Sequence, residues 1–241
     1  MSVHDNTQGP GDRGGTGDLD LQPAVSVVIP CRDAAGTVVD ALASAQTQEG
    51  CRVEIICIDD GSGDMTSDLL KQECAKGAFR LLRLTPSRGA PAARNAGLNE
   101  ATGRAVQFLD ADDVLLPGKL ARQLALLDRT GADFVAGSYE RQDMQGDVTM
   151  HSPEPDIWAG LIASRLGRTS SNLYRTDALR RIGGWTEDQK SSQEYELMFR
   201  LLKAGAEVVP DPVPGARLRV SRNSISSTNL AENAKRFLQL R

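Results

Sequence analysis

The chain has 241 residues, 40% of them hydrophobic and 25% charged, with a formal net charge of −4. That length suffices for one substantial hydrophobic core, and the slightly acidic balance excludes the large basic footprint of a nucleic-acid-binding protein. Cys31, Cys51, Cys57 and Cys74 form no C-x-x-C pair and read as reduced thiols of a cytosolic protein; no apolar run reaches the roughly 18 residues of a membrane span, and the N-terminus has neither the basic start nor the apolar core of a signal peptide.

Residues 1–22 are rich in Gly, Asp and polar side chains and read as a disordered tail that buries too little to offset its ordering entropy. Its Gly14-Gly15-Thr16-Gly17 run has no strand before it and no Lys after it, so it is not a phosphate loop. Val25 to Ile29 is a nearly continuous apolar run, stopped by Pro30, of the kind buried on both faces of a parallel sheet. A helix follows with Val38, Val39, Leu42 and Ala45 on one face. Val53 to Ile58 predicts a second buried strand that ends at Asp59-Asp60-Gly61-Ser62. Asp64 to Ala75 predicts a helix, and Phe79 to Leu84 a third strand. Pro91 suits the first turn of a helix running to about Ala101. Ala105 to Leu109 predicts a fourth strand ending at Asp110, and Pro117 opens a helix to about Asp128. Beyond Thr130 the alternation weakens: Asp133 to Tyr139 reads as a strand, residues 141–156 as a polar loop, Ser171 to Arg175 as a strand, Thr176 to Ile182 as a short helix and Gln193 to Ala204 as a longer one. With no repeat and no linker in view, residues 23–241 are taken as one domain, with halves at about 23–130 and 131–241.

Strands alternating with helices imply βαβ units and a mainly parallel central sheet flanked by helices, where ligands bind beyond the carboxyl ends of the strands. The acidic clusters Asp59-Asp60 and Asp110-Ala111-Asp112-Asp113 fall at two such ends. Carboxylates at spacing i, i+2 in a turn suit one hard cation, and Mg²⁺ takes one or two protein carboxylates plus substrate phosphates; taken alone, the tetrapeptide is equally a solvated turn. The two histidines are His4, in the tail, and His151, so general-base chemistry falls to carboxylates. Near the end of the chain, Glu194, Leu197, Met198, Leu201 and Leu202 share one helical stripe. Glu196 lines up with Phe199, Arg200 and Lys203, reading as a solvated partner of Arg200 at i+4. Glu194 is therefore the inward acid, although a helix N-terminus favours an acid there for its dipole alone.

In order and spacing, Val25-Ser26-Val27-Val28-Ile29-Pro30, Ile58-Asp59-Asp60-Gly61-Ser62-Gly63-Asp64, Ala93-Arg94-Asn95-Ala96-Gly97 and Phe108-Leu109-Asp110-Ala111-Asp112-Asp113 resemble the family 2 glycosyltransferases of GT-A fold. Gly183-Gly184-Trp185 and Gln193-Glu194-Tyr195-Glu196-Leu197 extend the resemblance, which covers about residues 24–227. It implies an inverting transferase that takes a nucleotide-diphosphate sugar, a UDP-sugar first and a dTDP- or GDP-sugar as alternatives, with Mn²⁺ or Mg²⁺ held by Asp112 and Asp110. It places Asp59 and Asp60 at the nucleoside, where a carboxylate accepts a base N–H. Arg94 and Ala111 fall at the donor, Arg94 beside the diphosphate. The segment Pro30-Cys31-Arg32-Asp33 departs from the family's aromatic-Asn pair, leaving Arg32 to stack on the base or Asp33 to contact the ribose. Glu194 stands where the family carries an Asp base. Trp185 and Asn172 are acceptor-side candidates, each with a core role as the alternative, and Ser221 replaces a histidine near the diphosphate, for which Arg219 or Arg222 are substitutes. The resemblance further implies work in surface polysaccharide synthesis on a sugar or lipid-linked acceptor, in the cytoplasm or peripherally at the inner membrane face, and leaves a homodimer open. The competing reading is a sugar-nucleotide-binding module of the same fold with impaired catalysis.

Overall fold

The computed structural model describes residues 23–77 and 79–220. In chain order it contains β1 (Val25–Cys31), α1 (Val38–Gln46), β2 (Val53–Asp59), α2 (Thr66–Cys74), β3 (Arg80–Arg83), α3 (Ala90–Glu100), β4 (Ala105–Phe108), β5 (Val114–Leu115) and α4 (Lys119–Thr130). The later part adds β6 (Phe134–Gln142), β7 (Val148–His151), α5 (Ile157–Ile162), β8 (Leu173–Arg175), α6 (Thr176–Arg181), α7 (Gln193–Lys203) and β9 (Val208–Arg219). The strands form one sheet in the order β3-β2-β1-β4-β8-β6-β9-β5, with β7 paired to β6. β3, β2, β1 and β4 are mutually parallel; β8 runs antiparallel to both β4 and β6, and β9 is again parallel to β6. The sheet is thus mixed, parallel where the βαβ units were legible and antiparallel around β8. Among the described residues, no helix is long and apolar enough to cross a membrane.

The apolar run of β1 serves two cores. Val25, Val27, Ile29 and Cys31 pack with Val38, Ala41, Leu42 and Ala45 of α1 on one face. Val28 packs with Ile56, Ile58, Ala93 and Phe108 on the other. Burial on both faces is why no polar alternation interrupts the strand. The α1 face is completed by Ala41, while Val39 is 41% exposed, because a stripe at i, i+3, i+4 and i+7 from Val38 passes through 41, 42 and 45.

Pro30 does not stop β1, which runs on to Cys31 in register with Asp59. The Val28 carbonyl accepts Leu109 N at 2.9 Å and the Cys31 carbonyl accepts Asp60 N at 2.8 Å. Backbone groups alternate sides along a strand, so the missing Pro30 N–H would have faced β4, whose ladder ends at Val28–Phe108. No ladder bond is lost. Residues 141–156 are not one loop: β6 extends to Gln142, turns through Asp143–Asp147, and returns as β7. The exposed Val148 and Met150 obscured its alternation. α5 was missed because six residues are too few to show a helical period, although Asp156 caps it by accepting Ala159 N at 2.9 Å. β9 was missed because Pro210, Pro212 and Pro214 read against a strand. Its ladder with β6 slips between Gly137–Asp211 and Tyr139–Ala216, and Pro212 and Pro214 fall in that slip.

α3 lies so close on β1 and β2 that a Cβ at Gly97 would sit 2.3 Å from Val28 Cγ1 and 2.8 Å from Ile58 Cδ1. Alanine normally gains about 1 kcal/mol over glycine in a helix; here overpacking, at about 1–3 kcal/mol, opposes it. Gly97→Ala is expected to lower the thermal midpoint, and a raised midpoint in a melt would refute this reading of the α3 contact.

Candidate functional site

The carboxyl ends of β1, β2 and β4 open on the same edge of the sheet, beside the N-terminal halves of α3 and α7. Asp59 and Asp60 leave β2 almost fully buried, at 1% and 2% exposure. Asp60 spends both oxygens on the segment before α3, accepting Arg88 N at 2.7 Å on Oδ1, and Gly89 N and Ser87 Oγ at 2.8 Å on Oδ2. Gly89, at φ 91°, occupies backbone space that favours glycine. Asp59 Oδ1 accepts Ser62 N at 2.9 Å. Its Oδ2 lies 3.4 Å from Arg83 Nε in a geometry that makes no hydrogen bond, and it is left unpartnered inside. A buried carboxylate oxygen without a donor is an acceptor in want of an N–H.

Across this pocket, Arg32 donates Nη1 to Ser87 Oγ at 2.7 Å. Asp33, held at φ 50°, accepts Gly63 N at 2.8 Å. Both side chains are more than half exposed and stand at the rim. Pro30 is half-buried behind them. Asp64 accepts Thr66 N at 2.9 Å and Ala35 N at 3.1 Å, tying the β1 and β2 loops together.

At the end of β4, Ala111 packs into the core while Asp110 and Asp112 stay half-buried. Arg94, 6% exposed, is no surface arginine: it donates Nη2 to Asp110 Oδ1 at 2.7 Å and Nη1 to Gln193 Oε1 at 2.9 Å. Its guanidinium lies 4.6 Å above the Trp185 ring, a cation–π contact that strengthens when desolvated. Trp185 meets Phe108 edge-on at 5.2 Å, so the floor of the cleft is an arginine held flat by an aromatic plug. Arg94 Nε has no hydrogen-bond partner. Burial, then the charge of Asp110, raises the pKa of Asp112. Burial and both neighbouring aspartates push Asp113 well above the usual carboxylate range; Asp113 accepts Ser170 Oγ at 2.6 Å and Arg219 N at 3.1 Å. Crowded acids of this kind are relieved by a cation, and two half-buried carboxylates fit a hard divalent ion shared with phosphate oxygens. Among the described residues, no group of three or more His, Cys, Asp or Glu side chains could hold a metal.

α7 presents Glu194 to the same cleft. Its carboxylate is 28% exposed and ion-paired with Arg168 at 3.2 Å, with Thr169 Oγ1 at 3.5 Å. Glu196 is paired with Arg200 as expected, but it is not solvated. It is 9% exposed and also accepts Thr186 Oγ1 at 3.0 Å. Arg200 donates on to the carbonyls of Ile182 and Gly184 at 2.8 and 2.7 Å, so the pair clamps the turn that delivers Trp185. A face polar in sequence is buried here because each charge finds its partner.

The acceptor-side residues lie deeper than the sequence suggests. Asn172 is fully buried. It accepts Gly137 N at 2.9 Å and donates to Leu166 O and the Tyr174 hydroxyl, both at 3.2 Å. Trp185 is 3% exposed, and Ser170 and Ser171 are fully buried. In this conformation neither Asn172 nor Trp185 is open to an acceptor. Arg219 pairs with Asp40 of α1 at 2.8 Å; Ser221 and Arg222, with the N-terminal tail, lie outside the described residues. Sequence reasoning missed Gln193, which holds Arg94, and Arg168, which holds Glu194. Gln193 precedes the acid it serves, whereas nothing local marks Arg168.

Residues 26–189 match the family described as Glycosyl transferase family 2. Similar relatives include the succinoglycan biosynthesis protein ExoO of Rhizobium meliloti, 29% identical over 86% of this chain and 64% of its own length. Another is the UDP-Glc:alpha-D-GlcNAc-diphosphoundecaprenol beta-1,3-glucosyltransferase WfgD of Escherichia coli, 32% identical over 48% of this chain and 46% of its own. Among solved structures, S. aureus TarS 1–349 in complex with UDP-GlcNAc superposes with a TM-score of 0.70 at 19% identity, covering 90% of this chain and 66% of that one. The mannosyltransferase PcManGT from Pyrobaculum calidifontis, in complex with GDP-Man and Mn²⁺, gives 0.67 at 20%, covering 86% and 59%. The chain therefore spans less than two thirds of the length of ExoO and of both of these structures.

Proposed function

We propose that this chain, which belongs to glycosyl transferase family 2, moves a sugar from a nucleotide-diphosphate sugar to an acceptor hydroxyl with inversion at the anomeric carbon. The observation that carries the proposal is the pair of buried Arg94 with half-buried Asp110 at the cleft floor, flanked by the half-buried Asp112 and faced by Glu194. Asp59 Oδ2, which accepts no hydrogen bond, takes the N–H of the base, and Asp60 shapes the Ser87–Gly89 wall of the nucleoside pocket. Arg32 and Asp33 close its rim, and Pro30 backs it. Asp110 and Asp112 would hold Mn²⁺ or Mg²⁺, which would supply positive charge against the departing diphosphate. Arg94, fixed on Trp185, keeps a guanidinium beside the phosphate oxygens without reorganising. Glu194 accepts the proton of the attacking hydroxyl once the acceptor draws Arg168 aside, and no covalent enzyme intermediate is needed. A UDP-sugar is the first donor to test, in keeping with the UDP-GlcNAc complex of TarS; the GDP-Man and Mn²⁺ complex of PcManGT keeps a GDP-sugar in view. The acceptor is a sugar, free or lipid-linked, within surface polysaccharide assembly, reached from the cytoplasmic face with residues 23–241 acting as one domain.

A second reading, a binding module without turnover, draws on the ion pair that occupies Glu194. Thermal shifts with UDP, GDP and dTDP, each with and without Mn²⁺, test the donor half of both readings. One nucleotide with Mn²⁺ is expected to stabilise the protein by about 2.7 kcal/mol at a hundredfold excess over Kd, and much less in EDTA. No shift with any pair would remove the proposal; a shift with neither donor hydrolysis nor transfer would favour the binding module.

A further inference from the structure

A cavity of about 190 Å³ is lined by Tyr139, Met150, His151, Ser152, Arg165 and Gly167. The β6–β7 hairpin builds it. Tyr139 pairs with His151 and Arg141 with Thr149, so these four side chains share one face of the hairpin. The His151 ring lies flat on Tyr139, with centroids 4.8 Å apart and planes 8° from parallel, and Thr149 Oγ1 lies 3.2 Å from His151 Nε2. Arg165 pairs with Glu154 at 2.7 Å. Arg168 donates Nε to the Tyr139 hydroxyl at 3.4 Å and Nη1 to Glu194 at 3.2 Å. Arg141 has no carboxylate partner among the described residues.

Three guanidinium groups thus meet two carboxylates, and each pairing leaves part of a five-donor fork unused. Burial, and then the charges of Arg141, Arg168 and Arg165, hold the His151 pKa below its ordinary value. Pockets for whole drug-sized ligands measure about 300–1,000 Å³, so this one fits a single group of a larger molecule. A flat aromatic pair beside guanidinium forks suits a sugar ring bearing an anion.

We propose that the Tyr139–His151–Arg165 cavity is a subsite for an anionic group on the acceptor, so that the acceptor is an acidic saccharide. This rests on the reading of Glu194 as the base, because Arg168 touches both the Tyr139 hydroxyl and that carboxylate. An anion seated in the cavity competes for Arg168 and frees Glu194 to take the hydroxyl proton, which makes acceptor binding part of the activation of the base. The anion has two sources, a phosphoryl group next to the reducing sugar or the carboxylate of a sugar acid.

Calorimetric titration of the full chain with glucose 1-phosphate, glucuronic acid and glucose separates these sources. At least one anionic sugar is expected to bind ten times more tightly than glucose; phosphate preference points to a phosphoryl-linked acceptor, carboxylate preference to a sugar acid. Arg165→Gln, at an exposed position, is expected to weaken that binding at least fivefold with an unchanged melting temperature. His151→Gln is the second variant should Arg165→Gln unfold. Arg94→Lys, altering the donor cleft, is expected to leave it within twofold. Equal binding of glucose and both anions, indifference to Arg165→Gln and His151→Gln, or loss in Arg94→Lys would each overturn the subsite. If the anions fail to bind while UDP and Mn²⁺ still shift the melt, the subsite falls and the donor reading stands.

Discussion

Glu194→Gln is expected to lower the transfer rate about 10²–10⁴-fold, the usual contribution of a positioned general base, while donor-induced thermal stabilisation stays at the wild-type level. The amide keeps the size of the carboxylate and can still accept a hydrogen bond from Arg168, now 3.2 Å away, but it cannot hold a proton. The side chain is 28% exposed, so the loss of one half-exposed ion pair costs about 1 kcal/mol or less in stability. Glu196→Gln gives the contrast. That carboxylate is buried, paired with Arg200 and bonded to Thr186, and its loss leaves a guanidinium underpaired beneath the Gly184 turn. A lowered melting temperature with a smaller rate effect is expected there. Single-turnover rates and melts of the two variants side by side decide the matter. A Glu194→Gln enzyme transferring at near-wild-type rate would hand the role of base to another group.

The first half of the molecule was legible because its elements obey one rule at a time. β1, β2 and β4 are apolar on both faces, α3 opens on Pro91, and the aspartates fall where parallel strands end; each is a local signal that packing reinforces. The second half breaks those signals. β9 carries three prolines, two of which its register slip excuses, and β7 exposes Val148 and Met150 on its outer face. The site divides in the same way. Asp110 and Asp112 are marked by spacing, and Glu194 by its stripe. The partners that fix them, Arg168 for Glu194 and Trp185 for Arg94, stand 26 and 91 positions away in sequence, as 194 − 168 and 185 − 94 show. No periodicity reports such contacts. Asn172 shows the converse error: a polar residue read as facing a ligand is in fact consumed by the backbone of Gly137 and Leu166, because a buried amide must have its hydrogen bonds satisfied.

Asp112→Asn should uncouple the donor from the metal. Asp112, Asp110 and Asp113 crowd one turn, and burial together with Asp110 raises the Asp112 pKa. The proteins differ in sign with and without ligand. Without nucleotide and Mn²⁺, removing one charge from the crowd costs nothing electrostatically, and the melting temperature is expected to hold or rise. With both present, the variant loses a ligand oxygen of full charge, the Mn²⁺-dependent part of the nucleotide shift is expected to vanish, and kcat/KM to fall about 10²–10⁴-fold, as several kcal/mol of charge stabilisation implies. A residue needed only for folding would lower the melt in both conditions. The wild-type protein should show the same dependence through pH. A carboxyl whose folded pKa is raised takes up its proton earlier on acidification, and a protonated carboxyl is a poor ligand. Mn²⁺-dependent stabilisation should therefore fade, as pH falls, sooner than the ordinary aspartate range predicts, with the Mn²⁺-free melt as reference. Mn²⁺-dependent shifts that persist in Asp112→Asn would move the ion away from the β4 turn and take the proposed donor geometry with it.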